Sequence, residues 1–196
     1  MAASDLSSPD PTAAELAHAL AELRAEVALL RSEADIRRLV GRYMFLCDAP
    51  LPEPENAALP RHEAIATLFT EDAIWEGVGS AHGAQFGRKQ GRGEIAAHFA
   101  DFFGGTPRQV FNTHYLCSEQ IIPASDTAEG RWVQMQPWIF ADGSTLVRSS
   151  RLQIRFRRTG EGWRISHYRT ENLFVAPLPE NWAPTLIERS NLIGDG

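Results

Sequence analysis

The order of segment types along the chain predicts an α+β fold, with helices in the first half and antiparallel strands in the second. Apolar residues recur at helical spacing before Pro107, and the pattern then changes to long strand-like segments. These segments, separated by short turn-forming clusters, cover residues 109–123, 130–140, 144–158 and 162–174. Helices followed by an antiparallel meander are typical of α+β proteins. Strands of this length twist, and helices over the concave face of such a sheet would leave a cone-shaped pocket.

Residues 13–32 are predicted to form an N-terminal helix with a narrow apolar seam. The apolar residues alternate four and three positions apart, which is the spacing of a coiled coil, at Leu16, Leu20, Leu23, Val27 and Leu30. Two heptads are too few for a free coiled coil, so we expect this helix to pack on its own domain, with a subunit contact as the alternative. The preceding residues 1–12 contain Ser, Asp and two prolines, and are predicted to be a disordered tail.

Three further helices and a short strand are expected before the long strands. Ser32 is a suitable N-cap for a second helix over residues 33–47. A proline-rich loop follows it, and then a short third helix leads into a strand at 73–77. The residues expected on the buried side of the third helix are Ile65, Leu68 and Phe69. The glycine-rich segment 77–93 indicates loops and turns. A fourth helix is predicted to begin at Gly93 and to place on one side Ile95, His98, Phe99 and Phe102.

Alternation along the long strands predicts which polar side chains face the core. In the segment 144–158, Arg148 shares its face with the apolar residues. The opposite face carries Arg151, Gln153, Arg155 and Arg157. A buried arginine needs an acidic side chain or a ligand oxygen as its partner. His167 shares parity with Trp163 and Ile165, so it is predicted to lean inward unless a bulge reverses the alternation. For His114 both faces of its segment are partly apolar, and parity leaves its direction open.

Composition and charge exclude several classes of function. The chain has 25 acidic and 19 basic residues and a net charge of -6, which argues against a nucleic-acid partner. Cys47 and Cys117 lie in apolar runs without CxxC or zinc-ligand spacing, and are predicted to be reduced core thiols. No apolar stretch approaches the roughly 18–20 residues that a bilayer span needs. The N-terminus lacks the pattern of a secretory signal, so we expect a cytoplasmic protein without a membrane partner.

A carboxylate and an imidazole stand in runs that are otherwise apolar. Asp48 ends the run 43–48, and His114 lies within the run 111–116. Each would be costly to bury alone, but hydrogen-bonded together they form a general base that changes protonation near neutral pH. A lone inward histidine is more often a satisfied core residue. Together with Arg148 and with the phenol of Tyr43, however, these groups indicate a shared pocket.

Other site chemistries lack their signatures in this sequence. There is no HxxxH or HxH pair and no acidic calcium loop, so no metal site is predicted. A serine nucleophile is not expected because no GxSxG occurs. The glycines of 77–93 do not form a strand-to-helix phosphate fingerprint.

Several short motifs resemble the SnoaL-like branch of the nuclear transport factor 2-like superfamily. They are Tyr43-x-x-x-x-Asp48, Ala66-Thr67-Leu68-Phe69-Thr70-Glu71-Asp72-Ala73, Gly91-Arg92-Gly93-Glu94-Ile95, Thr113-His114-Tyr115 and Gly162-Trp163-Arg164-Ile165. The resemblance covers residues 33–175 as one domain. It leaves 13–32 as a helical extension and 176–196 as a C-terminal tail or pocket lid. The second and last motifs mark the fold, whereas Tyr43, Asp48 and His114 carry the resemblance to particular enzymes.

The resemblance implies a cone-shaped α+β barrel, in which N-terminal helices pack on a curved, mainly antiparallel sheet around a deep pocket. Relatives include scytalone dehydratase, bile acid 7α-dehydratase and hexachlorocyclohexane dehydrochlorinase, and several eliminating members use a His–Asp dyad. They need no metal or organic cofactor, so none is expected here. The superfamily also contains steroid delta-isomerase, limonene epoxide hydrolase and binding proteins without activity. Its members are commonly dimers or trimers, which implies a homodimer or homotrimer.

We therefore expect a cofactor-independent lyase that acts on a hydrophobic cyclic or aromatic small molecule by dehydration or retro-aldol-type elimination. His114 would be the base, Asp48 its partner, and Tyr43 or Arg148 the group that stabilises the leaving oxygen or an oxyanion. The predicted substrate-binding residues are Phe69, Trp75, His98, Phe102, Met135, Trp138 and His167. A double-bond isomerase, which shares the first step, and a non-catalytic small-molecule-binding module are the alternatives. Epoxide hydrolysis ranks third because the paired acids that it needs are not evident.

Overall fold

A computed structural model of the chain describes residues 10–50, 59–79, 86–106, 108–179 and 182. The helices are α1 (Ala13–Cys47), α2 (Arg61–Ala66) and α3 (Gly91–Phe103). The strands are β1 (Phe69–Val78), β2 (Arg88–Gln90), β3 (Gln109–Asn112), β4 (Tyr115–Pro123), β5 (Thr127–Phe140), β6 (Thr145–Thr159) and β7 (Gly162–Pro177). The predicted tail up to residue 9 and the predicted lid beyond 179, apart from Trp182, lie outside the described residues. None of the described helices combines the length and the apolarity that crossing a bilayer requires.

The strands form one curled, mostly antiparallel sheet of seven strands, and the α+β fold class is confirmed. Its order is β2-β1-β7-β6-β5-β3, and β4 also pairs with β5. Among the described strands, β1 and β7 pair in parallel. The other pairs are antiparallel. α3 packs on β1 and α2, and α1 contacts β4 and β7, so the helices close one side of a cone. The core lies between the helices and the concave face of the sheet.

The first two predicted helices are a single helix, so the expected break at Ser32 is wrong. α1 begins with a capping box in which Thr12 accepts from the Glu15 amide at 3.3 Å and donates its own amide to the Glu15 carboxylate at 2.7 Å. Ser32 satisfies its hydroxyl inside the helix by donating to the Ala28 carbonyl at 2.8 Å. A serine bonded to the carbonyl four residues back no longer interrupts a helix, and sequence spacing cannot distinguish the two uses.

The two halves of α1 have different environments. From Ser32 onward its apolar stripe is buried, as Ile36, Val40 and Tyr43 show. Residues 10–31 are all exposed, including the five residues of the seam. The expectation that this half packs on its own domain is therefore wrong. At the start of the buried half, the Ser32 hydroxyl accepts a hydrogen bond of 2.8 Å from Arg158 of β6.

Buried and exposed side chains alternate along much of β5 and β6, and the buried ones form the sheet side of the core. For β6, the buried face is the one predicted for the segment 144–158. The buried face of β6 carries Arg148, Ser150, Leu152, Ile154 and Phe156. The arginines and the glutamine on the other face are exposed. In β5 the even-numbered residues from 128 to 138 are buried, whereas Met135 on the other face is 48% exposed. Opposite parity thus decides which side chains can reach the concave side.

The strand predicted at 109–123 is interrupted, and His114 lies in the interruption. The register places Asn112 opposite Trp138 and Tyr115 opposite Met135, so Thr113 faces Pro137 and His114 faces Gln136. Pro137 has no amide proton to donate, which removes a hydrogen bond of the ladder at this point. The His114 backbone amide points away from β5, on the same side as the Asn112 amide, which donates to Ala49.

Gly130 of β5 lies beneath an aromatic ring of its own strand. A Cβ atom at this position would overlap the Trp132 ring and would lie 3.2 Å from the Phe156 ring. We predict that Gly130→Ala lowers the free energy of unfolding by about 1–3 kcal/mol, as overpacked core substitutions do. Urea denaturation of both proteins measures the difference.

Gly160→Ala is the matched control, because a Cβ there meets no atom within 4 Å. It should change the free energy of unfolding by less than about 0.5 kcal/mol. Equal stability of Gly130→Ala and wild type would contradict the described packing of Trp132.

Candidate active site

Asp48 is held in place by its own backbone at the end of α1. Its amide donates to the Met44 carbonyl at 2.9 Å and so ends the helix. The next residue, Ala49, pairs with Asn112 through two backbone hydrogen bonds of 2.9 Å each. Arg61 of α2 donates to the Leu46 carbonyl at 2.5 Å and also binds the Asp48 carbonyl. The carboxylate therefore projects from a backbone fixed between β3 and α2.

His114 donates to Asp48 twice. Its backbone amide lies 3.1 Å from Asp48 Oδ1, and its ring Nδ1 lies 2.6 Å from the same oxygen. The His114 side chain is 8% exposed and that of Asp48 is 10% exposed, so the pair is largely withdrawn from solvent. Because an ionised carboxylate only accepts hydrogen bonds, the proton in the shorter contact belongs to Nδ1. The two residues that the sequence singled out do meet.

Gln136 contacts the other ring nitrogen of His114. Its side-chain amide nitrogen lies 2.7 Å from His114 Nε2 and 3.1 Å from the Asn112 side-chain oxygen. Gln134 donates to the Gln136 oxygen at 2.9 Å, and Asn112 donates to the Cys47 carbonyl at 3.0 Å. With Nδ1 protonated toward Asp48, Nε2 carries a lone pair and accepts from Gln136. This row of amides fixes the His114 ring with its proton on Nδ1 and its lone pair on Nε2.

Tyr43 lies deep among aromatic rings on the helical side of the cavity. Its hydroxyl accepts a hydrogen bond of 3.0 Å from Trp75 Nε1, and its ring packs on Phe69, Phe99 and Tyr168. Burial raises the pKa of Tyr43 well above its usual value. The phenol therefore stays protonated at neutral pH and can act as a hydrogen-bond donor.

Arg148 is a buried cation beside two aromatic rings. It is 5% exposed, it donates to the Asn172 side-chain oxygen, and its guanidinium carbon lies 4.9 Å from the Phe86 ring and 5.0 Å from the Trp138 ring. Burial lowers the pKa of Arg148 to about 10, so the group remains charged at neutral pH. Its partner is an amide oxygen, which is a weaker counterpart than a carboxylate.

These groups line a cavity of about 60 Å³. Its apolar wall includes four of the predicted substrate-binding residues, namely Trp75, His98, Phe102 and Trp138. Burial lowers the pKa of His98 to about 4, so this ring, 4.5 Å from the Trp75 ring, is neutral at physiological pH.

Three predicted substrate-binding residues do not line this cavity. Phe69 is fully buried in the core behind Tyr43. Met135 lies on the exposed face of β5. His167 is hydrogen-bonded to Glu76 at 2.9 Å, because the strand register shifts between Ile165 and His167 and reverses the predicted parity.

Several residues of the cavity wall were not predicted from the sequence as site residues. They are Cys47, Phe86, Phe99, Asn112, Gln134, Gln136, Tyr168 and Thr170. A signal for the two glutamines was present, because they share parity with Trp132 and Trp138 in a strand whose even positions are apolar or small. Tyr168 could not have been found by parity, since the bulge that turns it inward leaves no local mark in the sequence.

The two cysteines differ in burial. Cys47 is buried as predicted, and burial raises its pKa to about 12. Cys117 is exposed, so its prediction as a core thiol is wrong; β4 pairs on one side only and turns this residue outward. Across residues 10–50, 59–79, 86–106 and 108–179, no three His, Cys, Asp or Glu side chains are grouped as ligands of one metal ion.

The fold and this pair can now be compared with known proteins. Residues 28–169 match the family of SnoaL-like domains. The chain belongs to this SnoaL-like family. None of the curated proteins matches it.

Solved structures similar to this SnoaL-like protein share its nuclear transport factor 2-like fold. One is a nuclear transport factor 2-like protein with a cystatin-like fold from Novosphingobium aromaticivorans, with 26% identity and a TM-score of 0.53 over 79% of this chain and 90% of that one. Another is a type 2 hexachlorocyclohexane dehydrochlorinase, with 16% identity and a TM-score of 0.61 over 76% and 90%. A third, from N. aromaticivorans, is provisionally named a scytalone dehydratase and has 14% identity and a TM-score of 0.60 over 76% and 89%.

Proposed function

We propose that this SnoaL-like protein is a cofactor-independent lyase that eliminates water, or cleaves a carbon–carbon bond by a retro-aldol step, in a hydrophobic cyclic or aromatic molecule. The observation that carries the proposal is the 2.6 Å contact between His114 Nδ1 and Asp48 at the wall of an aromatic cavity. The two residues hold each other in the tautomer that a general base requires. A non-catalytic binding module would have Asp48 and His114 apart, or each of them satisfied by the backbone; here the two side chains meet, and Asp48 also accepts from the His114 backbone amide.

In the dehydration, His114 Nε2 takes a proton from a carbon of the substrate, and the electrons of the broken C–H bond form a C=C bond. Asp48 keeps accepting from Nδ1–H and stabilises the imidazolium, without taking the proton itself. Gln136 donates to the same Nε2 lone pair, so its amide must turn away before the proton moves.

The C–O bond breaks in the same elimination, and the departing oxygen needs a proton or a positive charge. Tyr43 is a protonated phenol on the cavity wall, and Arg148 is a cation on the same wall. Either can stabilise the leaving oxygen, which departs as water once it has been protonated. In the retro-aldol variant, His114 takes a hydroxyl proton, a C=O bond forms, and the adjacent C–C bond breaks to leave a carbanion that is then protonated.

Two of the structural neighbours support elimination as the reaction class. A dehydrochlorinase and a protein provisionally named a dehydratase both carry names of elimination reactions. Because their identities to this chain are below 25%, they show a shared fold, and the assignment of the reaction depends on the His114–Asp48 geometry.

We predict that His114→Ala lowers turnover by a factor of about 10²–10⁴, the usual contribution of a general base. The assay is mass spectrometry of a panel of hydroxylated aromatic and alicyclic compounds, incubated with enzyme in the presence of a chelator. A loss of water or formaldehyde that persists with chelator and disappears in the variant supports the lyase. A product of unchanged mass with a shifted spectrum supports the isomerase, in which the imidazolium returns the proton to another carbon.

His167→Ala is the matched control, because it breaks a second histidine–carboxylate pair that lies outside the cavity. His167→Ala should leave turnover within about twofold of wild type, whereas His114→Ala, which removes the His114–Asp48 pair, should lower it far more. Equal activity of His114→Ala and wild type would eliminate the role of His114 as the base.

A further inference from the structure

The positive charge of Arg148 is buried without an anion. The guanidinium is 5% exposed, and its hydrogen-bond partner in the described residues is the neutral side chain of Asn172. Its Nε–H is buried and has no partner there. Removing such a charge from water is costly unless an opposite charge compensates it. The carboxylates of residues 10–50, 59–79, 86–106 and 108–179 form no salt bridge with it.

Arg148 is not the only unsatisfied group on this wall. Trp138 Nε1–H, the Thr170 hydroxyl and the Gln134 side-chain oxygen are likewise buried without hydrogen-bond partners among the described residues, and all three residues line the same cavity. Unsatisfied donors are rare in folded interiors, and each one calls for a ligand or a water molecule. A cation and further donors around one cavity together match the requirements of an anionic oxygen.

The position of Arg148 relative to the dyad follows from the strand register. His114 faces Gln136 across β3–β5, and Gln136 faces Arg148 across β5–β6. The three residues form one cross-strand row on the concave face, and the ends of the row are about 10 Å apart in backbone distance.

We propose that the ligand of this cavity carries a carboxylate, which Arg148 binds while its ring reaches toward His114. This inference rests on the proposed function only for the role of His114. The carboxylate would accept from the Arg148 Nε–H and neutralise the buried charge, and Trp138 Nε1–H offers a second donor. The aromatic rings beside the guanidinium contact the ring of the ligand, so the specificity is for a hydrophobic acid.

The test compares two probes of equal shape, benzoate and benzamide, by isothermal titration calorimetry. Wild type should bind benzoate on the order of 10- to 100-fold more tightly than benzamide, the factor of a hydrogen-bonded charge pair. Arg148→Gln should lose this preference, and Arg148→Lys, which keeps the charge, should retain part of it. Arg151→Gln, an exposed arginine of the same strand, should bind both probes like wild type.

Three results would overturn the carboxylate site. They are equal affinity of wild type for the two probes, wild-type affinity of Arg148→Gln for benzoate, and no binding of benzoate by wild type. Circular dichroism of each variant establishes that it is folded. Because the readout is binding, a protein that prefers benzoate but shows no elimination would disprove the lyase and leave the carboxylate site intact.

A separate observation concerns the exposed half of α1. Its seam residues are between 42% and 65% exposed, although all five are leucine or valine. The segment 13–31 is about 28 Å long at 1.5 Å per residue. Leu16, Leu23 and Leu30 occupy the d positions of the heptad, and Leu20 and Val27 occupy the a positions. Leucine at d with a β-branched residue at one a position is typical of two-stranded parallel coiled coils.

The charges that flank the seam indicate the partner and its direction. Glu26 precedes the a residue Val27, and Arg31 follows the d residue Leu30. In a parallel pair of identical helices, Glu26 of each chain lies beside Arg31 of the other. In an antiparallel pair with the two seams fully overlapped, Glu26 would lie beside Ala19 of the other chain and would lose this partner. The sequence of the seam is therefore complementary to a parallel copy of itself.

We infer that residues 13–31 pair with the same residues of a second copy in a parallel two-stranded coiled coil, which makes the protein a homodimer. Light scattering after gel filtration should give twice the mass of one chain for wild type and the mass of one chain for Leu23→Glu. Leu29→Glu is the control, because Leu29 is 43% exposed but lies off the seam, and it should remain dimeric.

A disulfide tests the direction. In a Cys117→Ser background, Leu16→Cys should form a disulfide-linked dimer on mild oxidation, because only a parallel arrangement brings the two residues 16 together. A monomeric wild type, a dimeric Leu23→Glu or an absent cross-link would each overturn the inference.

Discussion

The site depends on a backbone contact, the pair of hydrogen bonds between Ala49 and Asn112. This bridge attaches the end of α1 to β3, one residue after Asp48 and two residues before His114. The His114 amide points to the same side of its segment as the Asn112 amide, away from β5, and donates to the Asp48 carboxylate. The dyad is therefore fixed through the main chain of both residues, so its geometry does not depend on the side chains alone. A pair held in this way meets the requirement that a catalytic constellation be supported by rigid elements.

The concave face combines a mostly apolar core with one row of polar side chains. Asn112, Gln134, Gln136 and Arg148 are each at most 5% exposed, although an apolar residue of similar size would be cheaper to bury. Each buried group left without a partner costs about 1–3 kcal/mol of stability. The fold tolerates this because Trp132, Phe156 and their neighbours make a continuous core beneath the row. A cavity at which several buried polar side chains lower the stability of the fold is typical of functional sites.

The sequence was sufficient for the parts of the fold that follow from local patterns. Parity placed Arg148 correctly because β6 alternates without interruption around it, and the apolar isolation of Asp48 and His114 pointed to their contact. It failed where tertiary context decides. The bulge before His167 reversed that residue, and the exposed seam could not be told from a buried one, because both have the same spacing. The parity that Gln136 shares with Trp132 and Trp138 placed it on the buried face, but its contact with His114 depends on the pairing of distant segments, which the sequence does not show.

The central claim is that Asp48 holds His114 with its proton on Nδ1 and leaves Nε2 free to act as a base. Nitrogen-15 NMR of the labelled protein at neutral pH measures this directly, with the His114 signals assigned from the spectrum of His114→Ala. The account predicts a protonated Nδ1, an unprotonated Nε2 and a hydrogen-bonded Nδ1–H proton signal that disappears in Asp48→Asn. A proton on Nε2 in the wild-type protein, or an unchanged Nδ1–H signal in Asp48→Asn, would contradict it.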